Sequence, residues 1–324
     1  MPAVAGDMVY VGSCAGTFYA LDKTTGALRW SYDIKRDGNQ VSFHGNPLFA
    51  GDLILIGTDK SCTPDGIGHV YAFDKNTGAI RWKYRTTSAS TDIIRVGPRV
   101  YVGSIQNNWT ALNLNDGSVA WNFSTHASNP NCDLPKSPVA DETHVYIAAL
   151  DGFIYSLDAT SGQIAWKRKL AAEPSTSLAL NDKFLFVGSS DNHIYQLKSD
   201  SGETKADITV QAKPVGRPMI SGDSIFFFLE DRSEHAGYIV SLNRDLKSVS
   251  WTQRSFPGWA SERPHVAREL VIAGNCRGEL AAFQVSDGAP EWKVNLKGCI
   301  RSVGDSGDSL FAGTQEGTIY AFTY

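Results

Sequence analysis

No apolar run in this 324-residue chain is long enough to cross a bilayer, since the longest, such as Leu53–Ile56 and Ile225–Leu229, are strand-sized. No basic start leads into an apolar stretch either, because Met1-Pro-Ala-Val-Ala has neither feature of a secretory leader. Nor does a lipoprotein-type cysteine stand near the start, Cys14 falling at an expected strand end. The chain is therefore expected to be either the mature part of an exported protein, periplasmic or otherwise extracytoplasmic, or a cytoplasmic protein. Charge of one sign is also lacking: the net value is −4, so nothing draws the whole molecule toward nucleic acid. The five cysteines contain no Cys-x-x-Cys spacing, which argues against a zinc site. Their odd number leaves at least one unpaired within the chain, and whether none, one or two disulfides form stays open. There is no Gly-x-Ser-x-Gly elbow and no phosphate loop, which argues against the hydrolases and nucleotide hydrolases built on those turns. The seven histidines are scattered without metal-ligand spacing, so no metal site and no catalytic residue is assigned.

What is present is a repeat. Ala20-Leu-Asp22-Lys-Thr-Thr25-Gly26-Ala-Leu-Arg-Trp30 returns almost unchanged as Ala72-Phe-Asp74-Lys-Asn-Thr77-Gly78-Ala-Ile-Arg-Trp82. It returns altered through Asp116-Gly117 to Trp121, Ser161-Gly162 to Trp166, and Asp287-Gly288 to Trp292. Two copies are degraded: Ser201-Gly202 leads to Ala206 where Trp is expected, and the copy ending at Trp251 has Lys247 in place of Gly. The sequence stops inside an eighth copy, at Tyr320-Ala-Phe322-Thr-Tyr324.

From Trp30 through 82, 121, 166, 206, 251 and 292 the intervals are 52, 39, 45, 40, 45 and 41 residues. A period of that size, made of short alternating segments, predicts β-propeller blades. Each unit reads as an apolar strand closed by Gly and a small residue, a Gly or Asn turn, an alternating strand, a Thr/Ser-Gly turn and the Trp strand. That is an antiparallel meander. The Asp at 22, 74 and 158 is expected to accept backbone N–H groups of the following turn, and the Gly after it to take a positive φ. Trp30, Trp82, Trp121, Trp166, Trp251 and Trp292 are expected to seal one blade against the next. The fold expected is all-β: an eight-bladed β-propeller of four-stranded antiparallel blades, residues 1–324 forming one domain, with seven blades as the alternative. The eighth blade is expected to be incomplete, because no Trp strand follows Phe322 and Pro2-Ala-Val-Ala-Gly-Asp7 already serves the first.

The run Ala-x-Asp-x-x-Thr-Gly-x-x-x-Trp resembles the tryptophan docking motif of the pyrroloquinoline-quinone-type (quinoprotein) propeller family. That family includes quinoprotein alcohol dehydrogenases and the outer-membrane assembly factor BamB. The resemblance runs through all the units and implies the propeller fold. It does not by itself imply quinone binding, since the Trp is a packing residue. Family enzymes hold a tricarboxylate quinone against a disulfide of adjacent cysteines, above calcium on Glu, Asn and Asp oxygens. This chain has no Cys-Cys pair.

Candidate binding positions are the two residues before the proline, or its equivalent, in the first strand of each blade, which should open near the channel mouth. They read Gly45-Asn46, Thr91-Asp92, Lys136-Ser137, Thr176-Ser177, Gly216-Arg217, Glu262-Arg263 and Arg301-Ser302. Lys136, Arg217, Arg263 and Arg301 set four bases against the acids Asp92 and Glu262, with His44 and Trp259 just upstream. A positive mouth suits an anionic ligand or an acidic peptide; a water-filled channel lined by mutually paired charges is the plainer reading. The function expected is a non-catalytic scaffold or ligand-sensing module, a monomer without a cofactor, that binds a protein, peptide or small anionic ligand at the channel face. The alternatives are a dehydrogenase of alcohols or sugars using pyrroloquinoline quinone (PQQ) with calcium, and a purely structural repeat domain of a larger protein.

Overall fold

Every repeat unit folds as a small meander because its strands alternate apolar and polar residues and its turns carry Asp and Gly where the chain must reverse. The computed structural model describes residues 2–13, 15–38, 40, 42–59, 67–89, 91–105, 107–125, 136–256 and 264–323. Among these, the strands form eight antiparallel sheets, seven of four strands and one of three. The first sheet consists of Ala3–Ala5, Met8–Gly12, Thr17–Asp22 and Leu28–Asp33 in sequence order, and the others repeat that order. The eighth has Ile300–Asp305, Ser309–Thr314 and Ile319–Thr323. This is an eight-bladed β-propeller fold, and the seven-blade alternative is set aside by the eighth sheet. By internal contacts the chain divides into two compact units, Met1–Asp151 with Tyr155–Ala165, and Gly152–Ile154 with Trp166–Tyr324.

The turn before each Trp strand is built by its aspartate. Asp22 Oδ1 accepts the backbone N–H of Thr24 at 3.1 Å and of Thr25 at 2.8 Å, and Arg29 reaches Oδ2 at 2.7 Å. Asp74 repeats this with Asn76, Thr77 and Arg81 at 3.1, 3.0 and 2.9 Å. These bonds favour the ionised form, so both carboxyls titrate lower than usual. For Asp22 the Thr25 backbone N–H is the largest cause; for Asp74 it is Arg81, and its value falls to about 2.

Within the first unit, Trp30 donates its indole N–H to the carbonyl of Lys75 at 2.9 Å, Trp82 to Leu114 at 2.8 Å, and Trp121 to Ala159 at 3.1 Å. Within the second, Trp166 donates to Ser199 at 2.8 Å and Trp251 to Val285 at 3.0 Å. Each acceptor lies on the next sheet in sequence, and the turn glycine of that sheet lies flat against the ring. A Cβ at Gly78, Gly117, Gly162, Gly202 or Gly288 would stand only 2.5–2.7 Å from the indole. Their φ values lie between 70° and 73°. The glycine therefore serves twice, in the positive-φ turn and as the floor under a tryptophan. Gly26 has φ 70° too, but a Cβ there would meet nothing within 4 Å.

Apolar side chains from facing sheets fill the space between. In the first unit Tyr10, Phe18, Phe43, Tyr71 and Phe73 are buried around Trp30. In the second, Phe186, Ile194, Ile225, Phe227 and Leu246 form a comparable cluster. Burying one such aromatic ring contributes about 2–3 kcal/mol, and no lone sheet could cover both its faces. No helix among the described residues is long and apolar enough to cross a membrane.

Candidate functional site

The positions before the prolines sit where first strands depart from regular pairing. In Ser42–Ala50 the register against Leu53–Asp59 shifts between His44 and Leu48, and in Lys213–Ser221 it shifts between Val215 and Met219. Pro47 and Pro218 fall inside those shifts; a proline has no N–H to give a ladder, so the strand bulges there. Ile300–Asp305 shifts at the equivalent place, between Ile300 and Ser302.

In the first unit the slot residues hold one another. Gly45 has φ 74°, and a Cβ on it would stand 2.6 Å from the Thr91 carbonyl oxygen. Asn46 donates its backbone N–H to Asp92 Oδ1 at 2.7 Å and its side-chain amide to Asp92 Oδ2 at 2.9 Å. The Asp92 N–H then reaches Ser137 Oγ at 3.1 Å. Asp92 thus joins three successive first strands, with both carboxylate oxygens engaged. Lys136 is half-buried beside Ser137. The backbone of His44 pairs with Gly57.

In the second unit the same contact recurs in backbone form. Thr176 and Gly216 form a parallel bridge, and Ser177 N–H donates to the Gly216 carbonyl at 2.9 Å. Arg217 is half-buried in its bulge, while Arg301 is exposed. Arg301 points its Nε and Nη2 at Gln315 Oε1, at 3.1 and 2.9 Å. Its strand is tied down by the disulfide Cys276–Cys299 and by the Ile300 N–H to the Asn275 carbonyl at 3.0 Å. His265 Nε2 lies 2.9 Å from Asp305 Oδ1, a link that motif reading did not reveal. Trp259, Glu262 and Arg263 lie outside the described residues, as do Cys14, Cys62 and Cys132.

The donor set for a quinone with calcium is thin among the described residues. No three His, Cys, Asp or Glu side chains converge to hold a metal ion. The disulfide joins residues 23 positions apart rather than neighbours. Calcium takes six to eight oxygens, and Asp92 already serves Asn46 with both of its own. The described residues therefore do not fit that cofactor.

Residues 1–207 match the family model for outer membrane protein assembly factor BamB. The chain belongs to that family. The BamB of Yersinia pestis is 22% identical over 335 residues, covering 98% of this chain and 70% of the relative. That of Moranella endobia (strain PCIT) is also 22% identical, over 72% of this chain, and the matched stretch spans only 60% of the relative's length. Among solved structures, BamB from Moraxella catarrhalis superposes with a TM-score of 0.82 at 19% identity, covering 100% of this chain and 96% of that one. Quinohemoprotein alcohol dehydrogenase from Comamonas testosteroni superposes with 0.77 at 12% identity, covering 99% and 73%. At such identities the two structures speak for the fold, which the BamB family and a quinoprotein enzyme share.

Proposed function

We propose that this BamB-family propeller is a non-catalytic scaffold that binds a protein partner during outer membrane protein assembly. The observation that carries this reading is the family match over residues 1–207. The slot positions are the proposed contact surface: His44, Asp92, Lys136, Arg217 and Arg301, together with Trp259, Glu262 and Arg263. Asp92 serves as the clamp that orients its neighbours, and the bases take an acidic segment or small anion. The Cys276–Cys299 disulfide supports an oxidising, extracytoplasmic compartment. The protein works as a monomer in this reading.

The test is binding to the purified periplasmic partner, or to an acidic peptide from it, by wild type and by Arg217→Ala/Arg301→Ala. The variant should melt like wild type and bind at least about tenfold more weakly, since charge-assisted contacts contribute roughly 1.5–3 kcal/mol. Unchanged affinity would overturn the assignment of the surface. A quinone-dependent dehydrogenase is the second reading, favoured by the fold likeness to the quinohemoprotein enzyme. Mixing the protein with PQQ and calcium tests it; a bound chromophore with dye reduction would replace the scaffold reading.

A further inference from the structure

The fifth and sixth repeat units depart from the pattern at one shared place. Ala206 pairs with Gln196 across the strands, as Trp30 pairs with Ala20, so Ala206 holds a tryptophan position. The sheet that should receive this tryptophan has Lys247 where Gly78, Gly117, Gly162, Gly202 and Gly288 lie under their rings. A Cβ at those glycines would stand 2.5–2.7 Å from the indole, so a lysine at 247 and a tryptophan at 206 exclude each other in the repeat geometry. The two departures are one structural change.

The turn has adjusted to it. Leu246, not residue 247, takes the positive φ, 54°. Leu246 is buried and joins the cluster that includes Phe186, Ala206 and Phe184, filling the inner end of the vacated socket. Gln196 Nε2 takes the carbonyl that an indole would have taken, that of Arg244, at 2.9 Å. The outer end stays open as a cavity of about 1190 Å³, floored by Phe184, Phe186 and Ala206. That exceeds the few hundred Å³ that one small ligand needs and leaves room for residues flanking an inserted ring. On its rim Arg244 pairs with Asp223 at 2.8 Å and Lys247 with Asp245 at 3.1 Å. Lys183 and Lys205 are exposed on the same rim beside the exposed Asp182, so the four bases and three acids that line the cavity leave it one positive charge in excess.

We infer that this groove is a second docking site, for a partner-protein segment that inserts a tryptophan between acidic residues. Five equivalent sockets in the chain are filled by an indole, which identifies the ring. The net positive charge of the rim, to which Lys183 and Lys205 contribute, identifies its flanks. The site lies on outer strands and turns and stands independently of the slot reading above.

The test uses the full chain and an acetylated, amidated Asp-Glu-Trp-Glu-Asp peptide carrying fluorotryptophan, followed by fluorine NMR titration. The tryptophan peptide should bind at least about tenfold more tightly than its Trp→Ala counterpart, from the ring area buried. Reversing both charges, Lys183→Glu/Lys205→Glu, should weaken it about five- to tenfold at low salt, from two surface charge contacts. Refilling the socket with Ala206→Trp/Lys247→Gly should abolish binding. Equal binding of the tryptophan and alanine peptides overturns the inference, as does undiminished binding by the folded refilled variant. If the refilled variant fails to fold, the charge-reversal variant decides, because both lysines are exposed; unchanged affinity there overturns the inference as well.

Discussion

Gln196 donates its side-chain amide to the carbonyl oxygen of Arg244 at 2.9 Å. Arg244 holds the repeat position of Lys75, whose carbonyl takes the indole N–H of Trp30 at the same distance. A carbonyl at a blade junction needs a donor, and an amide from the neighbouring strand supplies it where the indole is missing. Gln196→Leu should therefore destabilise the protein by about 1–2 kcal/mol, the usual result of leaving such a group unmet. Urea unfolding measures it. Adding Ala206→Trp/Lys247→Gly to the same variant should restore stability; failure of that rescue would show that the two groups do not share a role.

The turn glycines divide into two kinds. Gly78→Ala must accept a positive φ and also push Trp30 aside, which should destabilise by about 3 kcal/mol, from overpacking plus backbone strain. Gly26→Ala meets the strain alone and should lose about 1 kcal/mol. Equal losses in thermal or urea unfolding would mean that the ring contact contributes nothing.

The Cys276–Cys299 bond closes a loop of 23 positions. Loop-closure entropy assigns such a bond about 3 kcal/mol of stabilisation. Cys276→Ser/Cys299→Ser should lower the unfolding free energy by that amount, and a thiol reductant should do the same to wild type. A wild-type curve unmoved by reductant, with free thiols titrated in full, would contradict it.

Stability should also depend on acid in a defined window. Asp22 and Asp74 have folded-state values below the unfolded value of about 3.9. Their contribution is complete above about pH 4 and is lost as pH falls toward about 2, where Asp74 takes its proton. Urea midpoints measured from pH 6 downward should decline in that window, and less steeply in Asp22→Asn/Asp74→Asn. An identical slope in the double variant would remove these turns from the acid response.

Much of the fold was legible in the sequence. The recurrence of Trp30, Trp82, Trp121 and Trp166 locates the sheets, and the Asp22 and Asp74 turns form through bonds to residues two and three positions on. The candidate site was less legible. Asn46 and Asp92 stand in adjacent slots of the repeat, yet nothing local says that one grips the other with both carboxylate oxygens. Ala206 and Lys247 each read as a worn copy of the motif when taken alone.

Local chemistry reaches a few residues along the chain, so the amino-acid sequence alone determined the class of fold, the sheet order and the turn positions. Tertiary structure decided which side chains meet across neighbouring sheets. It paired Cys276 with Cys299, made Asp92 a clamp, placed the turn glycines 78, 117, 162, 202 and 288 beneath the tryptophan of the preceding sheet, and joined two separate departures at 206 and 247 into one open groove. Those relationships span from 23 to nearly fifty residues of chain and arise only when neighbouring sheets pack against one another.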